Sequence, residues 1–528
     1  MSTDQEKTLG VRDHWKAMIA MTLVSLSSFQ YGIDFGIIGG LQAMIPFLQV
    51  FGNEDSSTPL GYNISPDRQQ LIASLMVLGA FLSSSSAGFT AKWIGRKLSL
   101  WIACVGVFVS TALMQGTTNI GGLYAGRLII GLANGILMTH SQLYGYICTN
   151  WMIIQESVPS RYRGLGISFL SYWISFGSLV GTIVDNFAAK ITTRNAYIIP
   201  LGIVHIVPGI LFIGLFFIPE SPRWLAAKGN FKEAERALQR LRPEGWTVAQ
   251  ELEEMRTTLE AEARIQSGVG YLDLFKNPID RRRSTIAVLA LTSQAASGSM
   301  FVISYGTYFF EMANVGNAFE NSCILTGVGV AALLATTLLI TKFGRRRLMM
   351  MTGFTLCGIS QLIIAVIYTV HPNTESSGKA LVGMSVIYII AYNAMVAPYA
   401  WLSGGELSSQ RLRSHTFGLA TGVGFFFAWL TTFTAPYFIN PDSLNWGPKY
   451  GYIWTGSCAI AGTWIFMFLP EVKDRTLEEI DEMFEARIPA RKFRKYRCTG
   501  SHVVLNEKTQ TEYVEERAGN GKEVDAKA

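Results

Sequence analysis

Charge is scarce in this chain: of 528 residues only 16% are Asp, Glu, Lys or Arg, while 49% are hydrophobic. That balance excludes a string of water-soluble domains and indicates a membrane protein. Cysteine is sparse as well. Five of the six, Cys104, Cys148, Cys323, Cys357 and Cys458, fall inside apolar stretches without metal-ligand spacing, which reads as free buried thiols and excludes a disulfide framework. Histidine numbers six, and His140 and His205 stand isolated in apolar runs. With no nucleophile and base pattern and no metal cluster, neither an enzyme nor a cofactor is expected. The net charge of +6 is not gathered into one patch, which removes nucleic acid as a partner. Residues Met1 to Lys16 lack the cationic start, short apolar core and small-residue cleavage site of a secretory signal, so the first apolar run is expected to act as its own insertion signal.

What is present is a series of apolar runs centred near residues 30, 80, 108, 135, 176, 208, 296, 331, 360, 390, 425 and 460, twelve candidate transmembrane helices. Basic residues follow every second run: Arg96 and Lys97, Arg161 and Arg163, Arg223 onward, Lys342 with Arg345 to Arg347, Arg411 and Arg413, and Arg491 to Lys495. The alternate junctions are neutral or acidic, so the positive-inside rule puts both termini and the central polar segment in the cytoplasm. The sequon at Asn63, Ile64 and Ser65 then falls outside, where glycosylation is expected, although Pro66 disfavours it.

The runs divide into an N-terminal half, residues 17–218, and a C-terminal half, residues 284–470. Cytoplasmic tails cover residues 1–16 and 471–528, and a cytoplasmic helical linker covers residues 219–283. The halves repeat one another. Gly95-Arg96-Lys97 after the second run matches Gly344-Arg345-Arg346 after the eighth, and Glu156 with Arg161 and Arg163 matches Glu406 with Arg411 and Arg413. The sixth run ends in Pro219 to Leu225, PESPRWL, followed by AAKGNFKEAERAL. That string, the repeat and the closing PEVKDRTLEEIDEMF resemble sugar porters of the major facilitator superfamily, the last piece especially fungal sugar and α-glucoside permeases. The resemblance runs from about Ser25 to Phe493. It implies an all-α membrane fold of two six-helix halves with the substrate site between them near the bilayer midplane.

Asp34 is the only charged residue between Lys16 and Glu54, and Arg127 the only one between Lys97 and Glu156. A carboxylate at that depth costs roughly 2.5 to 3.5 kcal/mol and needs a partner or a task, so Arg127 is expected to pair with it. On residues alone the pair fixes packing or acts as a proton switch. The resemblance implies the switch, and with it proton symport. It also implies a cytoplasmic gate built from Arg96, Glu156, Arg161, Arg163, Arg345, Glu406, Arg411 and Arg413, although Lys92 and Thr341 stand where the family has Asp before each Gly-Arg group.

Sugar sites combine amides and hydroxyls with an aromatic face. The seventh run, SQAASGSMFVISYGTYFFE, supplies Gln294, Ser297 and Tyr305 and is similar to the family's QQxSGxN span, with Ala295 and Met300 in place of the second Gln and the Asn. Ser171 stands where the family's fifth-span Gln belongs, and Pro398 and Trp401 keep part of its GPIPW motif. The depleted amides point to a glycoside or a less polar metabolite rather than a simple hexose. The stretch Gly145 to Ile153 is nine residues longer than the family pattern allows, read either as a protruding helix or as a mis-chosen splice boundary. Taken together, the sequence predicts a monomeric plasma-membrane carrier of a sugar-like molecule and protons. The alternatives are a metabolite exporter and a non-transporting sugar sensor, the latter disfavoured by the short region beyond Glu471.

Overall fold

The computed structural model describes residues 15–56, 58, 60–148, 163–242, 247–266, 270–313, 316–372, 374–409, 412–473, 475–496 and 498. Among the described residues, helices cover all twelve apolar runs, six in each half. Backbone N–H and C=O groups have no water to bond at membrane depth, and a helix satisfies them within the segment. Eight elements are long and apolar enough to cross a membrane on their own, and a ninth qualifies when the first is joined to the short helix after it, across an 80° bend.

The N-terminal half opens with α1 (Trp15–Leu41), the bent-off α2 (Ile45–Phe51) and a two-residue hairpin, β1 (Asn53–Glu54) with β2 (Tyr62–Asn63). It continues with α3 (Pro66–Trp93), α4 (Arg96–Gly116), α5 (Ile120–Cys148), α6 (Arg163–Ala188) and a sixth span made of α7 (Asn195–Ile203) and α8 (Ile206–Phe217). Helix α1 packs along α6, and α5 lies between α3 and α4. The α1 and α6 backbones nearly touch: a Cβ on Gly32 would meet the Ile174 carbonyl oxygen at 2.0 Å, and one on Gly177 the Phe29 oxygen at 2.1 Å. Only glycine permits that approach.

The linker is helical, as expected: α9 (Pro222–Ala227), α10 (Phe231–Leu241), α11 (Val248–Gln266) and α12 (Asp273–Lys276). PESPRWL encodes its own helix start. Ser221 is the N-cap, accepting from the Trp224 N–H at 3.3 Å, and Pro222 fills the first helical position, where no N–H is needed. Leu225, Ala226, Ala234 and Ala237 bury a small core of their own, and Arg242 donates to Glu251 at 2.9 Å.

The C-terminal half begins with α13 (Pro278–Thr292), a 3-10 turn at Ser293–Ser297 and α14 (Ser299–Met312), so its first helix starts six residues before the expected boundary at 284. It continues with α15 (Ala318–Phe343), α16 (Arg346–Val370), α17 (Glu375–Ala391), a π turn at Tyr392–Val396, α18 (Ala397–Leu407), α19 (Arg413–Ile439) and α20 (Gly451–Phe468). Helix α21 (Leu477–Glu485) and a 3-10 turn at Ala490–Lys495 then seat beneath this half, with Phe484 and Phe493 buried. The halves meet along α6 with α15, α3 with α19, and α1 with α14.

Candidate functional site

The buried charge pair expected from the sequence is present. Asp34 on α1 and Arg127 on α5 are each 1% exposed, and Arg127 Nη1 lies 3.0 Å from Asp34 Oδ1. Two more groups hold it. Arg127 Nε donates to the Ile72 carbonyl of α3 at 2.9 Å, and Asn134 Nδ2 donates to Asp34 Oδ2 at 3.3 Å. The ion pair is single-bonded, because Arg127 Nη2 has no hydrogen-bond partner among the described residues. One charge-assisted bond holds less tightly than the two-bond fork that guanidinium and carboxylate can form. Sequence reading passed over Asn134. Its signal was helical spacing, since seven residues after Arg127 is the same face of α5.

Four of the five pocket candidates lie on the interrupted seventh and tenth spans, and Ser171 lies on α6. Gln294 and Ser297 lie on the 3-10 turn that interrupts the seventh span, which ends at Gly298 with φ +82°. A Cβ on Gly298 would come within 2.6 Å of the Trp454 ring, so the break requires glycine twice over. Gln294 is half-buried, while the Ser297 hydroxyl is occupied by the Gln294 carbonyl at 2.6 Å and the Ser297 carbonyl accepts from Tyr388 at 3.0 Å. Tyr305 is fully buried and donates to the Thr432 carbonyl at 2.7 Å, so here its hydroxyl ties α14 to α19. Trp401, beyond the π turn of the tenth span, is half-buried with Phe417 5.9 Å away. Ser171 on α6 is half-buried. An amide that sequence reading missed is Gln30, 1% exposed, with neither of its amide atoms hydrogen-bonded among the described residues. It precedes Asp34 by four residues and shares its face of α1.

The resemblance pairs Glu406 with Arg411 or Arg413, and Arg411 lies outside the described residues. Among the described residues Glu406 on α18 binds Arg346, whose Nε and Nη2 donate to it at 3.0 and 2.8 Å, and Arg345 is exposed. Arg345 is the N-cap of α16, so its side chain leaves before the helix turns inward. Glu471 takes the backbone N–H groups of Arg346 and Arg347 at 3.1 and 3.2 Å, and burial pushes its carboxyl above the ordinary range while the Arg346 charge pulls back. In the other half Glu220 takes the backbone N–H groups of Arg96 and Lys97 at 3.3 and 3.2 Å. Glu156, Arg161 and Arg411 lie outside the described residues, as does most of the stretch from Gly145 to Ile153, of which Gly145 to Cys148 continue α5. Arg163 and Arg413 open α6 and α19.

Asn63 of the sequon lies in a buried polar cluster. It is 2% exposed, and the nitrogen that would carry a glycan donates to Asn440 at 3.2 Å and Asp442 at 2.9 Å. Its oxygen accepts from Tyr308 at 3.0 Å, while Asn440 donates to Gln69 at 3.0 Å. A glycan on Asn63 would take the place of one of its two N–H bonds. The network joins the hairpin and α3 to α14 and the end of α19, so the outer ends of the two halves are tied together.

Comparison with known proteins agrees with this architecture. The family described as Sugar (and other) transporter matches residues 20–484. The chain is 29% identical over 488 residues to the major facilitator-type transporter ecdD of Aspergillus rugulosus, covering 89% of this chain and 87% of that one. It is also 29% identical to the maltose permease MAL31 of Saccharomyces cerevisiae, covering 91% and 77%. Among solved structures, the inward open conformation of the xylose transporter XylE from E. coli superposes with a TM-score of 0.69 at 19% identity, over 88% of this chain and 99% of that one.

Proposed function

The chain belongs to the Sugar (and other) transporter family, and from that premise we propose that it moves a sugar or a related polyol or glycoside across the plasma membrane together with protons. The observation that carries this reading is the Asp34–Arg127 pair, buried, single-bonded and located where α1 meets α5. Protonating Asp34 removes the charge that holds Arg127, and the guanidinium keeps only its bond to the Ile72 carbonyl on α3. Two arrangements of α1, α3 and α5 then differ in energy by the protonation state of one carboxyl.

The two halves rock about the cavity between them, acting as a monomer. The outer end is closed by Asn63, Asn440 and Asp442, and the inner end opens and closes at Glu406 and Arg346. Gln30 and Gln294 supply amides to substrate hydroxyls, Ser171 adds a hydroxyl and Trp401 a ring face. Ser297 and Tyr305 position the broken seventh span through the bonds they already make. The depleted amides of the seventh span, with Ala295 and Met300 in their places, support a glycoside over a free hexose.

Uptake of labelled glucose, maltose and quinate in a transport-deficient yeast, with and without a protonophore, tests the reading. Accumulation that the protonophore abolishes, and that Asp34→Asn reduces to equilibration, is the expected result. Accumulation unchanged by both treatments overturns proton coupling.

A further inference from the structure

We propose that Asp185 is a second proton-binding site, loaded from the outer side and separate from the Asp34–Arg127 pair; the proposal rests on the proton-coupled reading above. Asp185 lies one turn from the outer end of α6 and is 1% exposed. Its Oδ2 lies against the backbone of Gly40 on α1, where an added Cβ would come within 2.1 Å of it. Apart from that backbone no donor meets the carboxyl: neither oxygen makes a hydrogen bond of ordinary geometry among the described residues.

The charged and titratable groups facing this corner do not supply a counter-ion. On α1, Asp34 lies six residues before Gly40, about 9 Å along the axis, and is engaged by Arg127. Helix α15 brings Cys323, whose thiol donates to the Thr182 carbonyl at 3.3 Å, and the exposed Glu320. Beyond the end of α6, Lys190 is exposed and lies over the Phe187 ring. An ionised carboxylate in such a place costs several kcal/mol, and the neutral acid far less. With the outer ends closed, Asp185 therefore holds a proton.

The same corner lies on a seam that must move. Thr182 on α6 bonds Thr326 on α15 at 2.9 Å, joining the two halves three residues from Asp185. Separating the outer ends of α6 and α15 lets water reach the carboxyl. A carboxylate formed there takes a proton from outer hydronium, leaving water, and on closure the O–H stays with the chain.

Thermal unfolding of the purified full chain, from about pH 5 to about pH 8, tests the occupancy without reference to transport. A carboxyl that keeps its proton in the fold and loses it on unfolding makes the fold less stable as pH rises, whereas a neutral amide has no such slope. Wild-type Tm is expected to fall relative to Asp185→Asn as pH rises, with Asp185→Glu keeping the slope. Parallel curves for wild type and Asp185→Asn overturn the proposal. Should Asp185→Asn fail to fold, Asp185→Ser provides the neutral comparison. Replacing sodium by choline separates a metal cation from a proton: a shift that follows sodium and not pH overturns the assignment. Because this readout needs no substrate, failure of proton-coupled uptake in the wild type is recognised independently. Where labelled maltose is taken up, Asp185→Asn is expected to bring the ratio of rates at about pH 5 and about pH 7 closer to one, the remaining dependence belonging to Asp34. An unchanged ratio overturns loading from outside.

Discussion

The corner between α3 and α4 and the one between α15 and α16 are built on one plan with a shift of one residue. In each, a glutamate that follows a proline at the end of the half receives two successive N–H groups at the start of a helix: Glu220 from Arg96 and Lys97, Glu471 from Arg346 and Arg347. Each glutamate also takes a third N–H nearby, from Ser221 and from Lys473. A carboxylate on the exposed N–H groups of a helix start satisfies donors that have no partner within the helix and meets the positive end of its dipole. The N-cap position is Gly95 in one corner and Arg345 in the other, so Arg96 corresponds in bonding to Arg346. Repeated motifs thus fix the presence of a corner, while the cap fixes its register.

The shift makes the two corners respond differently to substitution. Arg346→Ala leaves the buried Glu406 carboxylate without its two bonds and is expected to lower stability by about 3 to 5 kcal/mol, read as a large fall in Tm of the purified protein. Arg345→Ala, at an exposed position, is expected to stay within about 0.5 kcal/mol of wild type. The reverse result would assign the corner to the register read from sequence. Gly95→Ala comes next. Its φ of +92° lies in the region that favours glycine, and a Cβ there would come within 2.8 Å of Glu220 Oε2, so a loss of about 1 to 3 kcal/mol is expected. Gly344, with φ of −64°, does not need that freedom, and Gly344→Ala is expected to lose less in the same assay. The smallest difference is between Glu220→Ala and Glu471→Ala. Each removes a cap of three N–H groups, and each is expected to cost about 0.5 to 2 kcal/mol, so Tm losses of similar size support a shared plan.

The sequence made some of this legible because the bilayer leaves little freedom. Apolar runs had to become helices, and two lone opposite charges at depth had to find each other, as Asp34 and Arg127 do. The PESPRWL string announced a helix start through its Ser-Pro pair. The register at Arg345 to Arg347 was hidden, since three successive arginines offer the same chemistry and only the cap chooses among them. The bonds of Tyr305 to Thr432 and of Asn63 to Asn440 were not legible, because those partners are far away in the chain. Gln30 and Asn134 were readable in principle from their spacing to the charged pair. Asp185 was passed over because an acid near the end of an apolar run resembles an interfacial residue. Only the packing of α6 on α1 buries it.

The short helix α21 and the turn after it alter what counts as the end of the folded body. Arg283 at the start of the seventh span donates to the Leu407 and Ser408 carbonyls and also binds Asp481 on α21, while Arg282 donates to the Ile488 carbonyl at 2.7 Å. Phe493 has no exposed surface. A fluorescent reporter or affinity handle joined directly behind Glu471 would therefore strip away a plug that Arg282, Arg283, Phe484 and Phe493 keep in place.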